Sequence, residues 1–262
     1  MIAELQHITY KEWLPIILGE EYMTTWDMVP GEVGHTNKYD AEVNPGITNV
    51  FATAAFRLYS TLWIFHGYFA PLFRKPFDNI TKGKLGLNFV YYRFGHSLIA
   101  GTIDSFNLFG SKIKSVPLTK SQFAPYELYD NQTLESFVRG LTTQKSEELD
   151  SAFSPELTQH LFQQEDESFG LDLVSLNIQR GRDHGLAPYN AWRELCGQTR
   201  VESWKMLSQV FPSMNVARLQ ALYKDVDDID VFIGGILEPP VNGSLLGPTF
   251  LCIIGDQFQR IR

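Results

Sequence analysis

The sequence predicts a mainly α-helical fold, and three observations support this class. Apolar residues recur at helical spacing in most segments of the chain. Strand-like alternation is sparse, and 231–233, just before Gly234 and Gly235, is the best short strand candidate, with small pieces of β structure expected within 231–236. The 262 residues are 44% hydrophobic and 13% aromatic, which is ample material for a packed core.

The individual helices are predicted from apolar spacing and from end signals. Residues 1–19 have the pattern of part of an amphipathic helix. A short helix is predicted over 187–196, because Pro188 stands near its start, where a missing N–H costs nothing, and Gly197 follows its end. Further helical windows run over about 201–210 and about 215–223. The apolar positions that recur at helical spacing are Ile2, Leu5 and Ile8; Leu134, Phe137, Val138 and Leu141; and Leu171, Val174 and Ile178.

Charge and hydropathy exclude two classes of partner. The net charge of −8 comes from 30 acidic and 22 basic residues, and no Lys/Arg block could neutralise a run of phosphates, so no nucleic-acid partner is expected. The longest apolar stretch, 62–73, is too short to span a bilayer and contains His66, Gly67 and Pro71. No membrane span is therefore predicted.

Secretion is compatible with the sequence. Residues 1–19 lack the basic flank, short apolar core and cleavage site of a signal peptide, so a signal would have to lie outside this chain. Three glycosylation triplets, at Asn79, Asn131 and Asn242, fit a secretory route, although such triplets also arise by chance. Two cysteines allow one disulfide at most.

Of the six histidines, His96 has the setting that best suits a haem ligand. It follows Arg93 and Gly95 and precedes Ser97 and a mostly apolar stretch. A porphyrin needs flat apolar contacts, and its iron needs one neutral imidazole nitrogen. From this spacing alone, a core histidine that is satisfied by its neighbours is the more frequent alternative.

A second polar cluster lies in 175–197. On a helix, Asn177, Arg180 and His184 fall on one side by the three-and-four spacing, beside residues of the kind usually found buried. The residues support two readings equally: a functional site, or a buried structural network that caps a helix end at Gly185.

Six segments resemble the animal haem peroxidases, the family of myeloperoxidase, peroxidasin and chorion peroxidase, and they occur in that family's order. The NIQRGRDHG and YNAWR pieces are together the most specific, and the resemblance covers nearly all of the chain except about 58–92 and some variable connections. The six segments are ITYKEWLPIILG, VNPGITNVFATAAFR, RFGHSLI, LVSLNIQRGRDHGLAPYNAWRELCG, DIDVFIGGILEPP and GPTFLCIIGDQFQRIR.

The resemblance implies a role for each motif residue. His96 corresponds to the axial ligand of the haem iron, and the side-chain carbonyl of Asn177 is expected to accept a hydrogen bond from the other imidazole nitrogen, which orients the ring and makes it a better electron donor. Arg93 and Arg180 resemble the arginines beside the haem, where a guanidinium can pair with propionate carboxylates. Asp183 and His184 match motif positions, and we assign them structural roles.

The resemblance also implies a disulfide and a cofactor. Cys196 and Cys252 match positions that are joined in the family, and the bridge would close a loop of about 55 residues, worth roughly 4 kcal/mol in the chain-entropy model. Two buried free thiols are the alternative. The implied cofactor is haem b, which the full-length parent can modify covalently.

The chain departs from the family in two ways. The distal histidine, arginine and glutamine, the calcium loop and the acidic residues that esterify the haem belong to an upstream half whose motifs are missing, so we expect an incomplete, proximal-half peroxidase domain over 1–262. In addition, 58–93 interrupts what should be one helix, because Arg57 and Arg93 both match the same motif arginine. We interpret this segment as a non-family insertion, such as a translated intron.

The expected activity is the oxidation of a small donor, a halide or a phenol, by hydrogen peroxide at a ferric haem. Without the distal base and cation, the chain alone should be compromised. A fatty-acid dioxygenase of the cyclooxygenase branch is a rival, but the NIQRGRDHG form fits the peroxidase branch better. A catalytically inactive haem-binding or extracellular-matrix fragment is the second alternative.

Overall fold

The computed structural model describes residues 6–32, 37–55, 93–122 and 128–261. Two compact units divide the chain, the first formed by 1–56 and 178–262 and the second by 57–177. The helices are, in chain order, α1 (Leu14–Leu18), α2 (Glu20–Thr25), α3 (Leu118–Ser121), α4 (Thr133–Thr143), α5 (Pro155–Thr158), α6 (Leu173–Asp183), α7 (Tyr189–Leu195), α8 (Trp204–Leu207), α9 (Ser213–Leu222), α10 (Val231–Leu237) and α11 (Pro248–Arg260).

Shorter elements complete the description. Single π-helical turns cover Thr9–Trp13 and Phe51–Ala55, and 3-10 turns cover Phe94–His96 and Val226–Asp228. The strands β1 (Thr102–Phe106) and β2 (Lys112–Pro117) pair antiparallel. The mainly helical class is therefore confirmed.

The second unit is built around this hairpin. Asn107 closes its tip, since the side-chain oxygen accepts hydrogen bonds from the backbone N–H groups of Phe109 and Ser111, both at 2.9 Å. Helix α4 packs on β1 so closely that a Cβ at Gly140 would overlap the Asp104 carbonyl. Beneath the hairpin lies an apolar core of Ile99, Ile103, Val116, Leu118, Phe137, Leu157, Leu161 and Leu173.

The first unit packs α7 and α10 in close contact. A Cβ at Gly234 would strike the ring of Tyr189, and one at Gly235 would strike the ring of Phe250, so these two glycines permit the approach. The apolar core beside Tyr189 consists of Val201, Leu207, Phe211, Val216, Leu219 and Ile229.

The strand expected within 231–236 is wrong, because the segment forms helix α10. Val231, Phe232 and Ile236 are all buried together with the two glycines. A helix that is apolar on every side shows no helical period, and over seven residues it cannot be told from a buried strand. The true strands flank the Asn107–Ser111 tip and were missed, although Ile103 and Val116 sit opposite each other in their register.

Most of the predicted helices are confirmed. Helices α4, α6 and α9 lie where the helical windows placed them. Helix α7 lies where its end signals placed it, and Gly197 takes a positive φ of 74° just past it. The window over 201–210 contains only α8. Ser203 caps the start of this helix, and its hydroxyl accepts a hydrogen bond from the Met206 N–H. Residues 6–18 are helical, and the earlier part of the 1–19 segment lies outside the described residues.

Two buried interactions hold α7, α10 and α11 together. Cys196 and Cys252 form the disulfide that the family resemblance implied. The side chain of Glu238, which is fully buried, accepts hydrogen bonds from Tyr189 at 2.5 Å, Arg193 at 3.0 Å and the Thr249 hydroxyl at 2.7 Å. Its other oxygen accepts from the Thr249 backbone N–H at 2.7 Å, so both carboxylate oxygens are satisfied. No helix in the described ranges is long and apolar enough to cross a membrane.

Candidate haem site

His96 ends a short 3-10 turn that is anchored to a neighbouring loop. The His96 N–H donates to the Arg93 carbonyl at 3.2 Å within the turn. Just beyond the turn, the Ser97 hydroxyl accepts from the Asp150 N–H at 3.3 Å, and the Leu98 carbonyl accepts from the Glu147 N–H at 3.0 Å. These contacts fix the backbone that carries the imidazole.

Asn177 is carried by helix α6, whose start is defined by a side-chain cap. The Asp172 carboxylate accepts from the backbone N–H of Val174 at 2.8 Å and of Ser175 at 3.3 Å, and from the Ser175 hydroxyl at 2.6 Å. A carboxylate at this position satisfies N–H groups that have no partner within the helix and favours the positive end of the helix dipole. The cap places Asn177 in the first turns of the helix, beside buried Leu173.

The second unit brings His96, Arg93 and Asn177 into one buried cluster. Their exposures are 4%, 2% and 1%. Arg93 Nη1 donates to Asn177 Oδ1 at 2.6 Å, and Asn177 Nδ2 lies 2.8 Å from His96 Nδ1. Residues separated by 81 and 84 positions along the chain are thus joined through a single amide group.

The direction of one hydrogen bond differs from the sequence expectation. The Asn177 carbonyl was expected to accept from the imidazole, but the amide nitrogen faces Nδ1 and the oxygen faces Arg93. A guanidinium can only donate, so the acceptor end of the amide turns towards Arg93. Arg93, which was expected beside a propionate, donates a hydrogen bond to Asn177.

The cluster fits a haem iron in position and in residue chemistry. A neutral imidazole binds iron through one ring nitrogen while the other is held by a hydrogen-bonding partner. His96 Nδ1 has that partner in Asn177, which leaves Nε2 as the nitrogen that would face an iron. Phe94 in the same turn and Leu173 at the start of α6 are buried apolar residues, as a porphyrin environment requires.

Helix α6 continues past Asn177 into the first unit, and its later polar residues have different surroundings. Arg180 is exposed, and Asp183 accepts a hydrogen bond from Gln179 at 2.7 Å. The His184 Nδ1 atom lies 3.2 Å from Asn49 Oδ1 and 3.3 Å from Thr53 Oγ1. These contacts are structural in kind.

Arg182 and Asp230 form a further structural contact. Their fork-shaped pair has distances of 3.0 and 2.8 Å, and Tyr223 donates to the same carboxylate at 2.8 Å. Hydrogen bonding to Asp230 and its negative charge raise the pKa of Arg182. Burial and then the bond to Asp230 raise the pKa of Tyr223. Of the polar side chains over 175–197, Asn177 is therefore the one that the structure joins to His96.

Sequence reasoning missed the residues that support this cluster. Asp172 and Ser175 carry a readable helix-start signal, an acidic cap ahead of the apolar residues of α6. Ser97 carries none, because its partner Asp150 is distant in sequence.

Comparison with solved structures places the fold among helical peroxidases. Peroxidase A from Dictyostelium discoideum superposes with a TM-score of 0.74 at 32% identity, covering 100% of this chain and 41% of that one. A fatty acid alpha-dioxygenase from Oryza sativa superposes at 0.50 over 67% of this chain with 18% identity, which shows a shared fold alone.

The chain belongs to the animal haem peroxidase family, whose sequence profile matches residues 1–70 and 78–262. It is 35% identical to chorion peroxidase of Drosophila melanogaster over 100% of its length and 35% identical to thyroid peroxidase of Sus scrofa over 98%. It spans 27% and 24% of the lengths of these two relatives.

Proposed function

We propose that this chain supplies the proximal half of a haem peroxidase site, with His96 as the axial ligand and Asn177 as the residue that orients it. The observation that carries the proposal is the buried contact of 2.8 Å between Asn177 Nδ2 and His96 Nδ1. This contact fixes the plane of the imidazole ring, and Nε2 is then the ring nitrogen that would face the iron. The family's distal half, with its base and cation, has no counterpart motif here and would come from elsewhere in the parent protein.

The reaction proposed for the parent is the oxidation of a halide or a phenol by hydrogen peroxide. Haem b, when bound, supplies the iron that takes electrons from the donor and passes them to peroxide. The contribution of this chain is to hold and orient the imidazole in a buried site. Arg180, exposed on α6, remains a proposed partner for a propionate, as does Arg93.

Secretion is part of the proposal. The Cys196–Cys252 disulfide is typical of an oxidising compartment. Asn131 and Asn242, the first residues of two glycosylation triplets, are exposed in turns, as a glycan requires. Asn79 lies outside the described residues.

The insertion hypothesis for 58–93 is retained as a proposal, and all but one residue of the segment lies outside the described part of the chain. The family match covers 58–70 and 78–93 but leaves out 71–77. Deleting 58–93 would join Arg57 to Phe94 and restore one uninterrupted motif with a single arginine. Sequencing the transcript across this segment tests the hypothesis directly.

The first experiment is a haemin titration of the whole chain, followed by Soret absorption. We expect a Soret band that His96→Ala abolishes and that His184→Ala, a change to the other motif histidine, leaves in place. The version without 58–93 should bind more strongly. A band that survives His96→Ala would contradict the assignment, and absence of a specific band in every version would favour a non-enzymatic fragment.

A further inference from the structure

The orientation of the Asn177 amide is dictated by Arg93. The guanidinium carries donors only, so its 2.6 Å contact requires the amide oxygen, and the amide NH₂ must then face the imidazole. All three side chains are at least 96% buried, so water does not readily replace a lost partner. The contact with Arg93 therefore decides which atom Asn177 presents to His96.

This orientation sets the tautomer of His96. An NH₂ group that lies 2.8 Å from Nδ1 makes Nδ1 an acceptor, so a neutral ring carries its hydrogen on Nε2. Iron ligation through Nε2 needs the opposite arrangement, with a lone pair on Nε2 and the hydrogen on Nδ1. In that arrangement Nδ1–H and the amide NH₂ would face each other as two donors. The cluster has suitable residues in suitable positions, but the direction of this one hydrogen bond opposes the ligation that His96 would perform.

We infer that Arg93 is a positioning residue that acts through Asn177 and holds His96 in the tautomer that does not bind iron. Haem loading then requires Arg93 to release the amide oxygen, so that the amide turns and its carbonyl accepts from Nδ1–H. The imidazole would lose the proton on Nε2 and gain one on Nδ1, so its charge would not change and Nε2 would have the lone pair that iron requires. The inference rests on the proposed function, in which His96 holds the iron.

Two variants relieve the conflict in different ways. Arg93→Met removes the donors and keeps a side chain of similar length, so the amide is free to turn. Asn177→Asp keeps the shape of the side chain and offers two acceptor oxygens, one for Arg93 and one for Nδ1–H. Arg139→Met is the matched control, because Arg139 lies in the same unit and donates to the Phe106 carbonyl, away from the cluster.

The test measures the imidazole tautomer by nitrogen NMR before haemin is added, and then the rate of haemin association by stopped-flow Soret absorption. We expect the Nε2–H tautomer in the unchanged chain and in Arg139→Met, and the Nδ1–H tautomer in Arg93→Met and Asn177→Asp. Under this inference only the Nδ1–H tautomer binds iron, so the observed association rate should follow the population of that tautomer. A hydrogen bond to a charged group shifts such an equilibrium about tenfold or more, so both variants should bind haemin at least about tenfold faster.

The outcomes separate this inference from the proposed function. An Nδ1–H tautomer in the unchanged chain would overturn the inference, because the amide oxygen would then be shared by Arg93 and His96. Variants that bind haemin through His96 no faster than the unchanged chain would overturn it as well, while leaving the axial assignment intact. A Soret band independent of His96 would remove the proposed function itself and the inference with it. Asn177→Asp, which preserves packing, decides the matter if Arg93→Met does not fold.

Discussion

The two units each bury a polar cluster around one side chain, and the clusters differ in how well that side chain suits its neighbours. In the first unit, both oxygens of Glu238 accept hydrogen bonds from donor groups, including the Arg193 guanidinium, and a carboxylate suits all of these donors. In the second unit, one neutral amide lies between a guanidinium and an imidazole that carries a proposed chemical task. The first arrangement is typical of a cluster that stabilises the fold, and the second of one that must rearrange to act.

The Glu238 cluster should give the largest loss of stability when it is broken. Glu238→Gln keeps the shape but leaves Arg193 without a counter-charge in a buried place, so the free energy of unfolding should fall by about 3–5 kcal/mol. Chemical denaturation followed by circular dichroism measures this. Glu194→Gln is the control, because it removes an exposed ion pair with Arg200 and should cost about 1 kcal/mol or less. Equal losses for the two variants would contradict the buried cluster's structural role.

The disulfide beside this cluster should rank next. Replacing Cys196 and Cys252 together by serine releases a loop with a sequence separation of 56. The free energy of unfolding should fall by about 2–4 kcal/mol, mainly through the greater freedom of the unfolded chain. Thermal unfolding of the double variant measures the effect, and reduction of the unchanged chain should reproduce it. A negligible difference would mean that the unfolded chain is already restricted in this region.

The difference between the clusters also decides what the sequence could predict. Apolar spacing found α6 and the end signals Pro188 and Gly197 found α7, so the elements that carry Asn177 and Arg193 were both predicted. It could not pair residues 81 or 45 positions apart, as in His96 with Asn177 or Arg193 with Glu238. The family resemblance predicted the contact between His96 and Asn177, because both residues lie in motifs that the family uses for its haem site. It did not reveal that Arg93 holds the oxygen of Asn177.

The fold was predicted best where one face of an element is buried and the other is exposed. Helix α4 buries Phe137 on one face and was found from its apolar spacing, although two of the apolar positions, Leu134 and Val138, are exposed. Helix α10 is apolar on every side, with Gly234 packed on Tyr189 and Gly235 packed on Phe250, so its pattern contained no helical period and was taken for a strand. Packing that uses glycines for close approach leaves no periodic signal in one sequence.

Removing the Asn177 amide should cost less than breaking the Glu238 cluster. Asn177→Leu removes the hydrogen bonds that Asn177 makes with Arg93 and with His96 Nδ1, and losing a buried hydrogen bond in this way costs about 1–3 kcal/mol. Denaturant unfolding measures the loss. Gln179→Leu, an exposed change two residues further along α6, should stay within about 0.5 kcal/mol. A loss for Asn177→Leu as large as that for Glu238→Gln would remove the distinction between the clusters.

An exposed counterpart to Glu238 should show the smallest effect. Asp227 accepts from Asn190 at 2.7 Å and from Arg200 at 2.7 Å, and these bonds, the Asn190 bond first, lower the pKa of Asp227 below its ordinary value of 3.8. A folded-state pKa below the unfolded one stabilises the fold above the unfolded value, and this contribution is lost as the pH falls through the folded value.

Carboxyl carbon NMR can follow the Asp227 titration in a variant of its partner Arg200 and in a control variant of Lys224. In Arg200→Gln the midpoint should rise, because the hydrogen bond and the charge of Arg200 both lower the pKa of Asp227. Lys224→Gln removes the same charge from a nearby exposed position and should move the midpoint less. An unchanged midpoint in Arg200→Gln would mean that Arg200 does not contribute to the lowered pKa of this carboxylate.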